Sequence, residues 1–140
     1  MPTLTRDDVV ALNREAITQS GGTFAGTENL ENASALDYIL EEVWTVRFGV
    51  DRYPSIAEKA AAIGFHIITR HVFHDGCKRT GLQACGAFLL INGYDFNFEP
   101  IEETIRFTLQ TADSSSGQTL EEFTAWVVSR STPITTEEPQ

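Results

Sequence analysis

His71-Val72-Phe73-His74-Asp75-Gly76-Cys77-Lys78-Arg79-Thr80-Gly81 gathers two imidazoles, a carboxylate, a thiol and two cations between two apolar runs. Asp75-Gly76 is a turn signal, so the stretch reads as a loop joining two helices. Upstream, Ser55 with Glu58 forms a capping-box pattern that opens an Ala-rich helix through Ala60, Ala61, Ile63, Gly64, Ile67 and Ile68. Its small residues predict a close-packed central helix. Downstream, a helix from about Cys77 to Ile91 carries Leu82, Cys85, Phe88 and Leu89 on one side, with Ala84, Ala87 and Ile91 widening the apolar surface. The loop's chemistry is thus placed at the end of a buried helical pair.

The rest of the chain extends this plan. A first helix starts with Thr5 as N-cap, carries Val9, Leu12, Ala16 and Ile17 inward, and stops at Gly21-Gly22. A second begins between Asn29 and Ser34, places Leu36, Ile39, Leu40, Val43 and Trp44 at helical spacing, and is broken by Gly49 to Pro54. Tyr94 to Phe98 alternates like a short strand or extended connector, with no partner strand evident. Pro100 introduces a fifth helix through Ile101, Ile105 and Leu109, and Thr119 with Glu122 caps a sixth, Leu120 to about Arg130, with Phe123, Trp126 and Val127 inward. The expected fold is all-α: one domain over residues 1–130, a bundle of about six helices, and a mobile tail over residues 131–140.

Length and charge exclude several classes. At 140 residues and 41% hydrophobic, the chain has material for one core and no apolar run long enough to span a bilayer. The N-terminal residues show no secretion-signal pattern, so the cytoplasm is the default expectation and no membrane role is expected. A net charge of −10 argues against direct DNA binding, which needs clustered cations. Cys77 and Cys85, eight residues apart, would lie about 12 Å apart on one helix, too far to bond.

Within the loop, each ionisable group has a chemical reading and a structural one. Helix amides from Cys77 to Arg79 point their N–H groups outward, and Lys78 and Arg79 add positive charge at an end where cations oppose the helix dipole. An anion there, such as a phosphate, satisfies all of them. Asp75 is the loop's one carboxylate: it either holds Mg²⁺ beside the phosphates of a nucleotide or serves as a plain turn residue. His71 reads as a general base for an attacking hydroxyl or as a helix-terminal cation, and Phe73 as an anchor in the core. His71, His74 and Cys77 recur at intervals of three, but the intervening Gly76 spoils a shared face and argues against zinc. His66, Trp44 and Trp126 read as structural.

These residues resemble the signature of the Fic/Doc family, H-x-F-x-[DE]-G-N-[GK]-R, which His71, Phe73, Asp75, Gly76, Lys78 and Arg79 match. The likeness is sharpest to the Doc, or death-on-curing, branch, where Lys precedes the Arg and Thr follows it, as Lys78, Arg79 and Thr80 do here. Gly21-Gly22, the Ala60-Ala61 helix and Phe88 to Tyr94 extend the similarity over residues 4–130. The resemblance implies a helical bundle that binds ATP with Mg²⁺: His71 as base, Asp75 on the metal, and Gly76, position 77, Lys78 and Arg79 on the phosphates. It implies transfer of the γ-phosphoryl group to a Thr hydroxyl of elongation factor Tu, which arrests translation. It also implies a cognate antitoxin whose disordered tail folds into a groove. Adenylyl-transferring relatives usually carry a second Arg three positions after the first, where this chain has Leu82. Adenylyl transfer, or a weakened binding module, is the alternative.

The one departure is Cys77 in place of the family Asn. A thiol is a weak donor of smaller reach, and a lost hydrogen bond to phosphate costs about 1.5–3 kcal/mol. At a helix N-terminus beside two cations the thiol is expected to have a depressed pKa and to be reactive. Thr27 to Asn32 formally fits the loose inhibitory pattern [ST]-x-x-x-E-[GN] of some Fic proteins, but reads here as a structural turn.

Overall fold

Gly64 and Gly81 mark a close approach between two helices. In the computed structural model, which describes residues 2–135, they lie where α3 (Ile56–Thr69) meets α4 (Cys77–Ile91). A methyl group on Gly64 would stand 3.0 Å from the carbonyl oxygen of Gly81, and one on Gly81 would stand 2.9 Å from that of Gly64 and 2.6 Å from Ile68 Cγ1. Bare backbone at both positions lets the helices pack almost in contact. Ala60, Ala61 and Ala62 are fully buried on the same helix, as the Ala-rich sequence predicts.

Four further helices surround this pair: α1 (Arg6–Ser20), α2 (Ala33–Glu42), α5 (Ile101–Ala112) and α6 (Leu120–Arg130), so six α-helices are present among the described residues. Thr5 and Asp8, and Thr119 and Glu122, form reciprocal capping boxes, and Ser55 accepts from Glu58 N. The core joins Val9, Leu36, Ile39, Ile63, Ile67, Phe88, Phe123 and Val127. Beside it Phe107 stacks on Trp126 at 4.4 Å, and Trp44 meets Phe88 at 5.8 Å.

Three features lie beyond or against the sequence reading. The segment after α2 folds into a hairpin, β1 (Val46–Arg47) with β2 (Val50–Asp51), turned by Phe48 and Gly49, both at positive φ. Two successive positive-φ residues define the tight turn that matches strand twist, and Phe48 stands fully in solvent at its tip. Buried charges brace its base: Glu42 accepts from Arg52 at 2.8 Å and Arg47 at 3.3 Å, and Lys59 donates to the Tyr53 carbonyl. The Arg52 hydrogen bond holds the Glu42 carboxyl below its ordinary pKa against the opposing effect of burial, with Arg47 assisting.

The second feature, a correction, concerns the tail. Ser131–Pro133 is a strand, β4, and pairs antiparallel with β3 (Tyr94–Phe96), so the missing partner lies in the segment expected to be mobile. Ile134 N continues the ladder to Gly93 O at 2.9 Å. The part of the expected tail at residues 136–140 lies outside the described residues.

Third, α5, whose facing the sequence reading left open, turns its apolar stripe outward. Its buried face is Thr104, Thr108 and Thr111, whose hydroxyls donate to Phe98 O, Thr104 O and Phe107 O at 2.7, 2.7 and 3.0 Å. Each hydroxyl is satisfied by nearby backbone, leaving its methyl to pack. Ile101, Ile105 and Leu109 are instead about half exposed, at 44, 53 and 53%. No helix among the described residues is long and apolar enough to cross a membrane.

Candidate functional site

The loop between α3 and α4 is fixed from below by apolar burial. Val72 and Phe73 are buried, so Phe73 is the anchor its sequence position suggested. Backbone bonds then stitch the loop to residues 29–32: Glu31 N and Asn32 N both donate to Val72 O, and His74 N donates to Asn29 O at 3.0 Å. The formal inhibitory pattern is used for this work, with Glu31 paired to His74 and Asn32 as the N-cap of α2.

A buried pair of amides, which sequence reading missed, ties this assembly to α1. Asn13 donates to Asp75 O at 2.9 Å and to Thr80 Oγ1 at 3.0 Å, and accepts from Asn29 Nδ2 at 2.8 Å. Asn29 in turn accepts from Ala25 N at 2.9 Å. Both side chains are almost wholly removed from solvent. The available signal was Asn13 itself, a polar residue at helical spacing between the inward positions Val9 and Ala16.

Asp75 takes the turn role: Oδ1 accepts from Gly76 N at 2.9 Å and Oδ2 from Thr23 N at 3.1 Å. The carboxylate sits so close to Gly22 that a methyl there would be 2.6 Å from Oδ2. Each oxygen spends one lone pair on an amide and keeps another. Gly76 follows at φ +78 as the N-cap of α4, and offers no side chain to the first amides of that helix. Left-handed backbone favours glycine here, and an added Cβ would also press on Asn13 and Ile17 at 3.0 Å.

Above this helix end opens a cleft of about 570 Å³. Asp75, Gly76, Lys78 and Arg79 line its charged end, Leu82 and Gln83 continue along α4, and α5 presents Ile101, Ile105 and Leu109 opposite. Lys78 and Arg79 are exposed and form no salt bridge among the described residues. Asp75 is the cleft's one carboxylate, a donor set that fits a cation held mainly by phosphate and water. Among the described residues no cluster of three or more His, Cys, Asp or Glu is arranged to hold a metal alone.

Three of the predicted site residues stand apart from the cleft lining. Phe73 is beneath it, and His71 is exposed at the start of the loop with φ +48. Cys77 turns inward: Sγ donates to Phe73 O at 3.1 Å and accepts from Phe73 N at 3.4 Å. Burial pushes the thiol pKa up, against the Phe73 hydrogen bond and the Lys78 charge, which corrects the expected depressed, reactive thiol. Desolvation is the largest influence, and it outweighs the lowering effects of the Phe73 carbonyl, the Lys78 charge and the Cys77 amide at the helix end.

Comparison with known proteins bears on the family of the chain. The Fic/DOC family profile matches residues 3–89, and the chain belongs to that family. It is also similar to Toxin Doc of Mycolicibacterium smegmatis (strain ATCC 700084 / mc(2)155), with 33% identity over 97 residues, covering 66% of this chain and 75% of that protein.

Proposed function

We infer that this chain is a Doc-like toxin whose cleft binds a nucleoside triphosphate and whose loop directs the γ-phosphoryl group to a Thr or Ser hydroxyl of a protein target. The observation that carries the reading is the start of α4: an end without a side-chain cap, flanked by Lys78 and Arg79 with no carboxylate partner among the described residues, opening into the cleft. Helix amides and cations together make an anion site, and the cleft's size suits a small ligand. Similarity to Toxin Doc supports the same reading.

In that reading the amides of residues 77–79 and the Lys78 and Arg79 side chains hold the phosphates. Asp75 holds Mg²⁺, which when bound neutralises phosphate charge. The target hydroxyl oxygen forms the new bond to phosphorus, the bond from the β–γ bridging oxygen to that phosphorus breaks, and the nucleoside diphosphate leaves. His71, which the family resemblance makes the base, takes the hydroxyl proton from the start of the loop, outside the cleft lining. The residues contribute positioning and fixed charge rather than covalent intermediates. Leu82 brings no charge to the cleft where adenylyl-transferring relatives place an Arg, which favours phosphoryl over adenylyl transfer.

Elongation factor Tu is the target that the family resemblance implies. The outward stripe of Ile101, Ile105 and Leu109 repeats every four residues and suits the folding of an antitoxin's disordered tail as an amphipathic helix. The deciding experiment incubates the chain with elongation factor Tu and ATP labelled at either the α or the γ position. Label from the γ position alone is expected on the target, with Arg79→Gln slowing transfer about ten- to a hundredfold through one lost charged hydrogen bond. Transfer of α label identifies adenylyl chemistry, and transfer of neither identifies a binding module.

A further inference from the structure

A second cavity, of about 420 Å³, opens between the first half of α2 and the end of α3, and it plays no part in the reading above. Its wall is Asn32, Ser34, Ala35, Tyr38, His66 and Arg70. No carboxylate is among them, although the chain's net charge is −10. Arg70 is exposed and forms no salt bridge among the described residues, so a full positive charge stands at the rim uncompensated.

The polar groups have defined hydrogen-bonding senses. His66 Nδ1 lies 2.9 Å from Ala62 O; a carbonyl only accepts, so Nδ1 carries a proton and Nε2 is the variable atom. Burial lowers the His66 pKa, against the Ala62 bond and with help from the Arg70 charge, so near neutral pH Nε2 is an acceptor. Tyr38 accepts from Arg52 at 3.3 Å and keeps its own proton to donate. The wall therefore offers a cation and a phenol donor together with one imidazole acceptor. A carboxylate or sulfate has no proton at neutral pH for that acceptor. A phosphate monoester has a second pKa of about 6, so of these anions it alone can bring a proton near neutral pH: its monoanion offers acceptor oxygens to Arg70 and Tyr38 and one O–H to Nε2. The volume exceeds what a phosphate group fills, and Ala35 and the Tyr38 ring leave room for a small organic part.

We propose that this cavity is a second, independent phosphate site, which takes the phosphate monoester group of a small metabolite on Arg70, Tyr38 and His66. The test uses the whole chain and follows imidazole nitrogen resonances by NMR, with His74 as internal reference. Inorganic phosphate and glycerol 3-phosphate are each expected to shift His66 Nε2 saturably at millimolar concentration. Sulfate and acetate should bind at least about tenfold more weakly, the worth of one charged hydrogen bond.

Arg70→Gln should weaken phosphate binding about tenfold or more, and Tyr38→Phe, which removes a single O–H at a half-exposed position, severalfold. Arg79→Gln should leave the His66 response unchanged, which separates this site from the cleft whether or not the cleft binds nucleotide. Equal response to all four anions, a shift that does not saturate, or full binding by both the Arg70 and Tyr38 variants overturns the proposal.

Discussion

Asn13→Ala is the sharpest probe of how the loop is held. The side chain spans α1, the loop and α4 through its bonds to Asp75 O, Thr80 Oγ1 and Asn29 Nδ2. Its removal leaves Thr80 Oγ1, fully buried, without its amide donor. Asp75 O and Asn29 Nδ2 then keep only each other, at 3.4 Å. One stranded buried group costs about 2 kcal/mol and two weakened ones about 1 kcal/mol each, giving about 4 kcal/mol in all. That is a large share of a typical domain stability of about 5–15 kcal/mol. Urea unfolding followed by Trp44 and Trp126 fluorescence measures the loss. Asn13→Leu refills the space but restores no donor, so it should be no more stable than the Ala variant. A loss below about 1 kcal/mol for Asn13→Ala, or recovery by Leu, would show that packing rather than the amide bonds holds the loop.

Other sites give distinct readouts. Gly81→Ala places a methyl 2.6 Å from Ile68 Cγ1 and 2.9 Å from the Gly64 carbonyl oxygen, so it should cost about 3 kcal/mol in the same unfolding assay, with stability close to wild type excluding the tight α3–α4 crossing. With both thiols raised in pKa by burial, Cys77 and Cys85 should be alkylated by iodoacetamide at pH 8 more slowly than a free model thiol, and at its rate only after unfolding. Fast modification of Cys77 in the folded chain would contradict its inward placement. His66 has a folded-state pKa below its ordinary 6.5, so it favours the fold fully above that pH and its contribution falls away as pH drops below it. In phosphate-free buffer His66→Gln should therefore flatten the acid side of the stability profile, and an unchanged slope would refute the assignment.

What could be read from the chain alone was whatever local chemistry decides. Thr5 with Asp8 and Thr119 with Glu122 place helix starts because a cap needs only residues three apart. The alternating spacing of Leu36 and Ile39, and of Phe123 and Val127, places core faces for the same reason. What escaped depends on partners distant in sequence. Ser131–Pro133 becomes a strand only because Tyr94–Phe96 lies beside it, and a run containing Ser, Thr and Pro carries little strand signal of its own. Asn13 and Asn29 look like ordinary helix and loop residues until folding brings them within 2.8 Å. The orientation of α5 was not legible locally: threonines that satisfy their hydroxyls on nearby backbone pack as methyl groups, which leaves the isoleucine face to line the cleft. At the site, Asp75, Gly76, Lys78 and Arg79 converge as their adjacency suggests, whereas the direction of the Cys77 side chain depends on the Phe73 anchor.

That direction changes what the exchange of Asn for Cys at position 77 does. If residue 77 reached the phosphates, replacing an amide by a thiol would remove a charged hydrogen bond of about 1.5–3 kcal/mol. Instead its sulfur closes a tight turn by donating to Phe73 O and accepting from Phe73 N, and an Asn side chain has the same two senses, an N–H to donate and a carbonyl to accept. In the proposed reading, anion contact at this end falls to the backbone amides of residues 77–79 and to Lys78 and Arg79, none of which depends on the side chain at 77. The difference between the two residues is then one neutral loop-closing interaction, about 1 kcal/mol, felt as loop stability rather than as lost charge stabilisation. A thiol raised in pKa stays uncharged, so it adds no negative charge beneath the cleft, and the electrostatic case for an anion at the head of α4 stands with cysteine in place.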